Sequence, residues 1–183
     1  MADFKTAKMK TLRWEGGYCD VKGDTGGETI MGVAKNSWGS KYPDIFKRLD
    51  EIKKEANNNV KKINEIAFSD ETFLNTIEKF YRDNFWNKIK GDDIKDQKAA
   101  EALFDYAVNS GVVRAVKHAQ EVCGVTVDGA FGAKTLEAIN NTQGFCNKLC
   151  DRRTKFFNEI AKKGQNIKFL KGWLNRVNDF YTK

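Results

Sequence analysis

Apolar residues recur at intervals of three and four along most of this chain, as at Phe73, Ile77 and Phe80. That spacing places side chains on one face of an α-helix, whereas a half-buried strand alternates with a period of two. The 183 residues contain one proline and no long alternating run of β-branched side chains. The sequence therefore predicts a mainly α fold with little sheet. Its 40% hydrophobic content is enough for the core of one domain or of two small ones.

Capping residues and glycines indicate where the predicted helices begin and end. Ser69-Asp70-Glu71 has the composition of an N-cap and begins a helix that runs to Trp86. Gly111 and Gly124 each end a further helix. The remaining predicted helices cover 3–14, 133–140, 144–162 and 166–181, and an amphipathic stretch covers 45–66. A break in composition at 90–93 predicts a boundary, which divides the chain into 1–92 and 93–183, packed as one globular unit.

The chain carries a formal net charge of +7, which attracts polyanions. Its basic residues are spread along the sequence instead of forming one dense arm, so most of them are expected on solvated helix faces. Nucleic acid binding would rest on net charge alone, and we do not predict it.

No apolar run approaches the roughly 20 residues that span a bilayer, and the N-terminus MADFKTAKMK lacks the apolar core of a signal peptide. We therefore expect synthesis in the cytoplasm and no membrane insertion. The four cysteines are expected to be free thiols. Cys146 and Cys150 lie one helical turn apart, but the single histidine, His118, is remote in sequence. We predict no metal and no other cofactor.

The segment from Trp14 to Val33 combines acidic side chains with two glycine pairs. Glu15 ends the first predicted helix directly before Gly16-Gly17, and Asp24 follows nine residues later. A carboxylate in the last turn of a helix faces the partial negative charge of the helix C-terminus, which favours its protonated form. Glycoside cleavage needs one protonated carboxyl and a second group that stabilises the developing positive charge. A helix-end ion pair is the alternative for Glu15.

The same segment has the composition of a small hairpin. Lys22-Gly23-Asp24 is typical of a turn, and 28–33 predicts one brief strand. Thr25 and Thr29 add hydroxyls that are able to hold a water molecule. The density of polar groups around Glu15 therefore indicates a cleft.

A second group of polar side chains lies in LFDYAVNSG. Asp105 and Asn109 are one helical turn apart and share a polar face. Asn109 suits either a helix cap or an acetamido group, and Tyr106 suits either core packing or stacking on a sugar. Tyr18 is a further candidate for sugar stacking. We take Tyr18, Thr25, Asp105, Tyr106 and Asn109 as candidate substrate-binding residues.

The segment WEGGYCDVKGDTGGETIMGV resembles the N-terminal motif of glycoside hydrolase family 108, the bacterial and phage N-acetylmuramidases. The similarity continues through FYRDNFWNKI and implies that Glu15 is the catalytic acid. The spacing of Glu15, Asp24 and Thr29 is also similar to the active site of family 24 phage lysozymes. In those lysozymes the threonine comes one residue later, so Thr25 competes with Thr29 for the role of holding a water.

The second half of the chain resembles peptidoglycan-binding modules over VCGVTVDGAFGAKTLEAIN. The Asp-Gly-x-Phe-Gly-x-x-Thr core of these modules corresponds to Asp128, Gly129, Phe131, Gly132 and Thr135. These residues either contact the sugar or only shape a turn. LFDYAVNSG is similar to an Ala-Tyr-Asn-Ala-Gly stretch of lytic transglycosylases.

Together the resemblances imply a lysozyme-like helical fold with a small hairpin or loop beside the catalytic helix. Residues 1–92 would form the catalytic region and 93–183 a helical peptidoglycan-binding region, with the cleft between the N-terminal part and the helices after residue 95. The implied activity is hydrolysis of the β-1,4 bond between N-acetylmuramic acid and N-acetylglucosamine. Glu15 would protonate the leaving oxygen, Asp24 would stabilise the positive charge or orient water, and Thr29 would hold the water.

Peptidoglycan glycan strands are the implied partner of a monomeric enzyme. A wall-degrading enzyme made in the cytoplasm suggests an endolysin that acts in the periplasm or cell wall after release by a holin or a secretion machine. The alternatives are a lytic transglycosylase, or a wall-binding protein that keeps the fold without catalysis.

Overall fold

The computed structural model describes residues 1–20 and 26–182. The predicted turn Lys22-Gly23-Asp24 and the candidate residues Asp24 and Thr25 lie outside these ranges. The chain divides into two compact units. We call Leu12–Arg82 the sheet unit, and Met1–Thr11 together with Asp83–Lys183 the helical unit.

Within its described residues, the sheet unit contains three short antiparallel strands in the order β1-β2-β3. They are β1 (Tyr18–Cys19), β2 (Thr29–Ile30) and β3 (Val33–Ala34). The prediction of one strand over 28–33 is wrong, because Met31 and Gly32 both have positive φ, at 47° and 78°. Positive φ at both central residues is the requirement of a two-residue hairpin turn, so the chain reverses there and Ile30 pairs with Val33.

Helices complete the sheet unit. They are α2 (Lys35–Trp38), α3 (Pro43–Glu55), α4 (Val60–Ser69) and α5 (Glu71–Tyr81). The amphipathic stretch predicted over 45–66 is two helices, because Asn57 and Asn58 both adopt the left-handed conformation that asparagine tolerates better than most residues. Ile45, Leu49 and Ile63 are buried between these helices and their neighbours.

The N-cap predicted for α5 is confirmed. The Asp70 carboxylate accepts a hydrogen bond from the Phe73 N–H at 2.9 Å, which satisfies one of the unpaired donors of the first turn. The same carboxylate accepts a 2.7 Å bond from Arg48 Nε of α3. Asp70 therefore joins the start of α5 to α3.

The helical unit is built from α1 (Phe4–Leu12), whose last residue begins the sheet unit, and from five later helices. Those are α6 (Gln97–Ser110), α7 (Val112–Cys123), α8 (Ala133–Asn141), α9 (Phe145–Ala161) and α10 (Ile167–Asn178). The helix ends predicted at Gly111 and Gly124 are confirmed, and both glycines have positive φ. The mainly α fold with a small sheet is confirmed. No helix in the described residues is long and apolar enough to cross a membrane.

Trp86 is a core residue of the helical unit. Its side chain is fully buried, and its indole N–H donates to the Asp92 carboxylate at 2.9 Å. Gly91 lies directly on the Trp86 ring, where a Cβ would overlap the indole. The composition break at 90–93 is a turn at Lys90, which has positive φ, followed by a short 3₁₀-helix over Gly91–Asp93 within this unit. The functional boundary at residue 92 stays a prediction.

A buried ion cluster joins three helices of this unit. Asp105 of α6 is fully buried, and its carboxylate accepts 2.7 Å bonds from Arg153 of α9 and Arg176 of α10. Both arginines are also buried. The Arg153 guanidinium lies 4.8 Å from the centroid of the Tyr106 ring, so it is held by a cation–π contact as well.

We expect Asp105→Asn to lower the free energy of unfolding by about 3–5 kcal/mol, because two buried guanidinium groups lose their counter-charge. Asp50→Asn is the control, since Asp50 is 51% exposed and lies 3.8 Å from Lys53; it should cost less than about 1 kcal/mol. Urea denaturation followed by circular dichroism measures both. Equal stability of the two variants would contradict this role for the cluster.

Candidate functional site

Glu15 lies just beyond the end of α1, within the sheet unit. Its backbone N–H donates to the Leu12 carbonyl at 3.2 Å, so the chain makes one more turn before it leaves the helix axis. Gly16 then adopts φ +68°, which redirects the backbone toward β1. The Glu15 side chain is half-buried. α1 thus ends at Leu12, three residues before the helix end that the sequence predicted at Glu15.

The carboxylate of Glu15 is seated against the hairpin turn between β2 and β3. A Cβ on Gly32 would lie 2.7 Å from Glu15 Oε2 and would overlap the Tyr81 hydroxyl. That hydroxyl donates a 2.6 Å hydrogen bond to the Met31 carbonyl in the same turn. Glu15 and Tyr81 thus meet over one glycine, and only glycine leaves room for both.

Gly17, the second glycine after Glu15, also lies in close contact with a side chain of another element. A Cβ on Gly17 would overlap the side-chain amide of Asn64 in α4. The same amide oxygen accepts the Tyr18 N–H at 2.7 Å. Asn64 therefore fixes the start of β1, the strand that follows Glu15.

Directly before β2, Glu28 lies at the centre of a charged network. Its carboxylate is 92% buried and accepts hydrogen bonds from Tyr18 Oη at 3.0 Å, from Lys35 Nζ at 2.9 Å and from Lys53 Nζ. Burial raises the pKa of Glu28, but the bonds from Lys53, Lys35 and Tyr18 outweigh burial and leave the pKa below its ordinary value. Glu28 is ionised and fully engaged, so it does not suit the role of a proton donor.

The other sequence candidates in this unit are Tyr18 and Thr29. Tyr18 is half-buried, and its hydroxyl is committed to Glu28. Thr29 lies in β2 opposite Cys19 and Ala34, and its hydroxyl donates to the Gly27 carbonyl at 3.2 Å. Sugar stacking by Tyr18 and water binding by Thr29 stay predictions.

The candidates on α6 belong to the helical unit. Asp105 is the carboxylate of the buried ion cluster, and Tyr106 is fully buried with its hydroxyl 2.5 Å from His118 Nδ1. Asn109 is half-buried, and its amide oxygen accepts bonds from Arg153 at 3.2 Å and from Ser110 at 3.0 Å. Substrate binding by these three residues stays a prediction, and the burial of Asp105 and Tyr106 does not favour it.

The Asp-Gly-x-Phe-Gly-x-x-Thr motif folds around one buried glutamine. Gln120 of α7 donates to Asp128 Oδ1 at 2.7 Å and to Thr135 Oγ1 at 3.2 Å, and it accepts the Gly129 N–H at 2.9 Å. These bonds hold the turn that precedes α8. They give the motif a role in shaping the fold.

Sequence reasoning did not identify Tyr81 or Asn64 as parts of the site, whereas Gly32 and Glu28 lie within the segment from Trp14 to Val33 that it singled out. Tyr81 has the helical spacing of an ordinary core aromatic, and Asn64 is one of several asparagines in a charged stretch. Gly32 carried the only usable signal, because a glycine that directly follows a short apolar run often marks a close backbone approach. Among the described residues no cluster of three or more His, Cys, Asp or Glu side chains could hold a metal ion.

Two family models match the chain, one over its N-terminal part and one over its C-terminal part. The model of a family described as glycosyl hydrolase 108 matches residues 9–111, and that of a predicted peptidoglycan domain matches residues 114–178. The solved structure of Brucella abortus SagA is 32% identical in sequence, covers 97% of this chain and 90% of its own, and superposes with a TM-score of 0.68. No curated protein matches the chain.

We expect Gly32→Ala to destabilise the sheet unit more than Gly16→Ala does. Both glycines have positive φ, so each substitution costs about 1–2 kcal/mol of backbone strain. A Cβ at residue 16 meets no atom within 4 Å, whereas a Cβ at residue 32 meets Tyr81 and Glu15, which adds about 1–3 kcal/mol. Urea denaturation of the two variants measures the difference. Equal losses of unfolding free energy in the two variants would show that the contact at residue 32 is not tight.

We also expect the Glu28 network to make stability depend on acid pH. The folded-state pKa is lowered, so the stabilisation is present above the unfolded value near 4.3 and is lost as the pH falls through the folded pKa. The melting temperature of Glu28→Gln should therefore fall less than that of the wild type between about pH 5 and 3. Glu65→Gln, at a 61% exposed side chain of the same unit, should keep the wild-type profile. Parallel curves for the wild type and Glu28→Gln would refute the assignment.

Proposed function

Because the chain belongs to the glycosyl hydrolase 108 family and carries a peptidoglycan domain, it is a peptidoglycan hydrolase, and we propose that it is an N-acetylmuramidase with Glu15 as its general acid. The bond cleaved is the β-1,4 linkage between N-acetylmuramic acid and N-acetylglucosamine. Glu15 donates its proton to the glycosidic oxygen as that bond breaks.

The observation that supports this proposal is the packing of the Glu15 carboxylate against the hairpin turn between β2 and β3. A general acid acts efficiently when its carboxyl is held in one position relative to the leaving oxygen. Gly32 lets the carboxyl approach the backbone, and the bond from Tyr81 to Met31 fixes the turn that it approaches. Tyr81 and Gly32 are thus positioning residues for Glu15. Neither needs to contact the sugar.

A second group must stabilise the positive charge that develops at the anomeric carbon. We assign this role to Asp24, which follows Glu15 by nine residues and is the acidic residue expected in the hairpin. Thr29, with Thr25 as the alternative, would hold the attacking water. Alternatively, Glu15 acts without a second carboxylate, and the acetamido group of the substrate stabilises the anomeric carbon before water attacks. A lytic transglycosylase, which would release an anhydro sugar, is a separate alternative.

A wall-binding protein without catalysis is the alternative from another class. The peptidoglycan domain at residues 114–178 favours binding in either case. Release of reducing ends from purified peptidoglycan separates the two functions, because binding alone releases none. An endolysin role and the release route remain predictions from the sequence.

We expect Glu15→Gln to lower the rate of wall lysis by about 10²–10⁴-fold, the usual contribution of a general acid. Glutamine keeps the shape of the side chain, so the melting temperature and pelleting with insoluble peptidoglycan should not change. Glu65→Gln is the control for loss of one carboxylate in the same unit and should lyse walls at the wild-type rate. Turbidity of a sacculus suspension measures lysis. Near-normal lysis by Glu15→Gln would remove Glu15 from the reaction.

A further inference from the structure

An open depression of about 520 Å³ lies in the helical unit where α6 ends and α7 begins. Its lining includes Ser110, Gly111, Arg114, Lys117, His118 and Glu121. We call it the α7 depression. Neither the role of Glu15 nor the motif around Gln120 uses these side chains.

His118 is one of the residues that line this depression. The residue is 93% buried, and its Nδ1 lies 2.5 Å from the hydroxyl of Tyr106. Within the described ranges Nδ1 is the one hydrogen-bond partner of that fully buried hydroxyl, so the hydroxyl donates and Nδ1 accepts. A neutral imidazole that accepts at Nδ1 carries its proton on Nε2, at the opposite edge of the ring.

The imidazole stays neutral at ordinary pH. Burial, reinforced by the positive charges of Arg152 and Arg114, lowers the pKa of His118 to about 4. His118 therefore offers the depression a fixed Nε2–H donor and not a positive charge.

Positive charge comes from the neighbouring side chains. Arg114 and Lys117 are exposed on α7 and line the depression. Arg114 donates to the Ser110 carbonyl at 3.2 Å, and Lys117 lies within electrostatic range of Asp128. Glu121 is the acidic side chain of the lining, and its charge is balanced by Arg152, whose Nε lies 2.5 Å from the carboxylate. The side chains that line the depression therefore carry more positive than negative charge, which favours an anion.

The start of α7 adds backbone N–H donors, which carry partial positive charge. Gly111 precedes this 12-residue helix and supplies no side-chain cap, so the first N–H groups have no side-chain partner at the N-cap. The partial positive charge of the helix N-terminus reinforces the cations beside it. A buried side-chain donor, two cations and a helix terminus converge on one concave surface.

We propose that the α7 depression binds a carboxylate of the muramyl-peptide part of peptidoglycan. Arg114 and Lys117 pair with the carboxylate, and His118 Nε2–H donates a hydrogen bond to it. The match to the peptidoglycan domain begins at Arg114, so three of these donors fall inside it. The proposal rests on peptidoglycan being the partner, and it deepens the proposed function by naming the part of the polymer that is recognised.

His118 is the one histidine of the chain, so the imidazole NMR signals of an untagged protein belong to it without assignment. The full-length Glu15→Gln variant, which should not degrade the probe, is titrated with a soluble disaccharide pentapeptide. A second titration uses the peptide-free disaccharide, whose lactyl group then carries the free carboxylate. The free protein should show the Nε2–H tautomer at pH 7, and the pentapeptide should shift the Nε2 signal saturably.

Arg114→Gln combined with Lys117→Gln should weaken the affinity by about tenfold or more, the usual effect of losing hydrogen bonds from charged groups. Lys171→Gln, an exposed lysine of α10 outside the depression, should leave the affinity unchanged. A shift with the pentapeptide alone identifies a stem carboxylate, because the lactyl carboxyl of that probe is bound in an amide. A shift with the disaccharide alone identifies the lactyl carboxylate, and a shift with both shows that either carboxylate is accepted. Each of these results supports the proposal.

Absence of a shift with both probes, or a shift that persists in the double variant, would overturn the proposal. An equal shift with a short DNA duplex, lost in the same variant, would also overturn it, since the site would then select phosphate polymers. The proposal for the depression and the proposed function can fail independently of each other. Wild-type lysis without any His118 shift refutes the depression alone, and a shift without lysis by the wild type refutes the muramidase alone.

Discussion

The carboxylate of Glu15 occupies its position because residue 32 has no side chain. A Cβ there would meet both Glu15 Oε2 and the Tyr81 hydroxyl, and that hydroxyl is bonded to the carbonyl of the adjacent residue, Met31. One close approach thus joins Glu15, the β2–β3 turn and the last residue of α5. The three strands of the described sheet are two residues long each, so their stability depends on side-chain contacts of this kind more than on the hydrogen bonds between strands.

The helical unit is organised by a different kind of interaction. Asp105 is buried between Arg153 and Arg176, which joins α6, α9 and α10. A buried ion cluster costs much desolvation and is tolerated when every member is paired, so it specifies which helices meet. The polar face of α6 predicted from sequence lies inside the unit for this reason. Asp105 on this face stabilises the packing of α6 against α9 and α10. The α7 depression lies beside these helices.

The sequence predicts helices well where the chain itself carries the end signal. Asp70 caps α5, and Gly111 and Gly124 end α6 and α7 as predicted. It fails where conformation depends on an unusual φ at a residue other than glycine, as at Met31, which turns one predicted strand into two. It also fails where the partner is distant in sequence. Nothing near Glu15 indicates Tyr81, and nothing near Asp105 indicates Arg153 or Arg176.

The central claim is that Glu15 catalyses hydrolysis at N-acetylmuramic acid. Mass spectrometry of the fragments released from purified peptidoglycan in ¹⁸O-labelled water tests it most directly. The account predicts fragments that end in reducing N-acetylmuramic acid with one ¹⁸O at the anomeric carbon from the wild type, and none from Glu15→Gln. Fragments that end in anhydro-muramic acid, or in reducing N-acetylglucosamine, would contradict it.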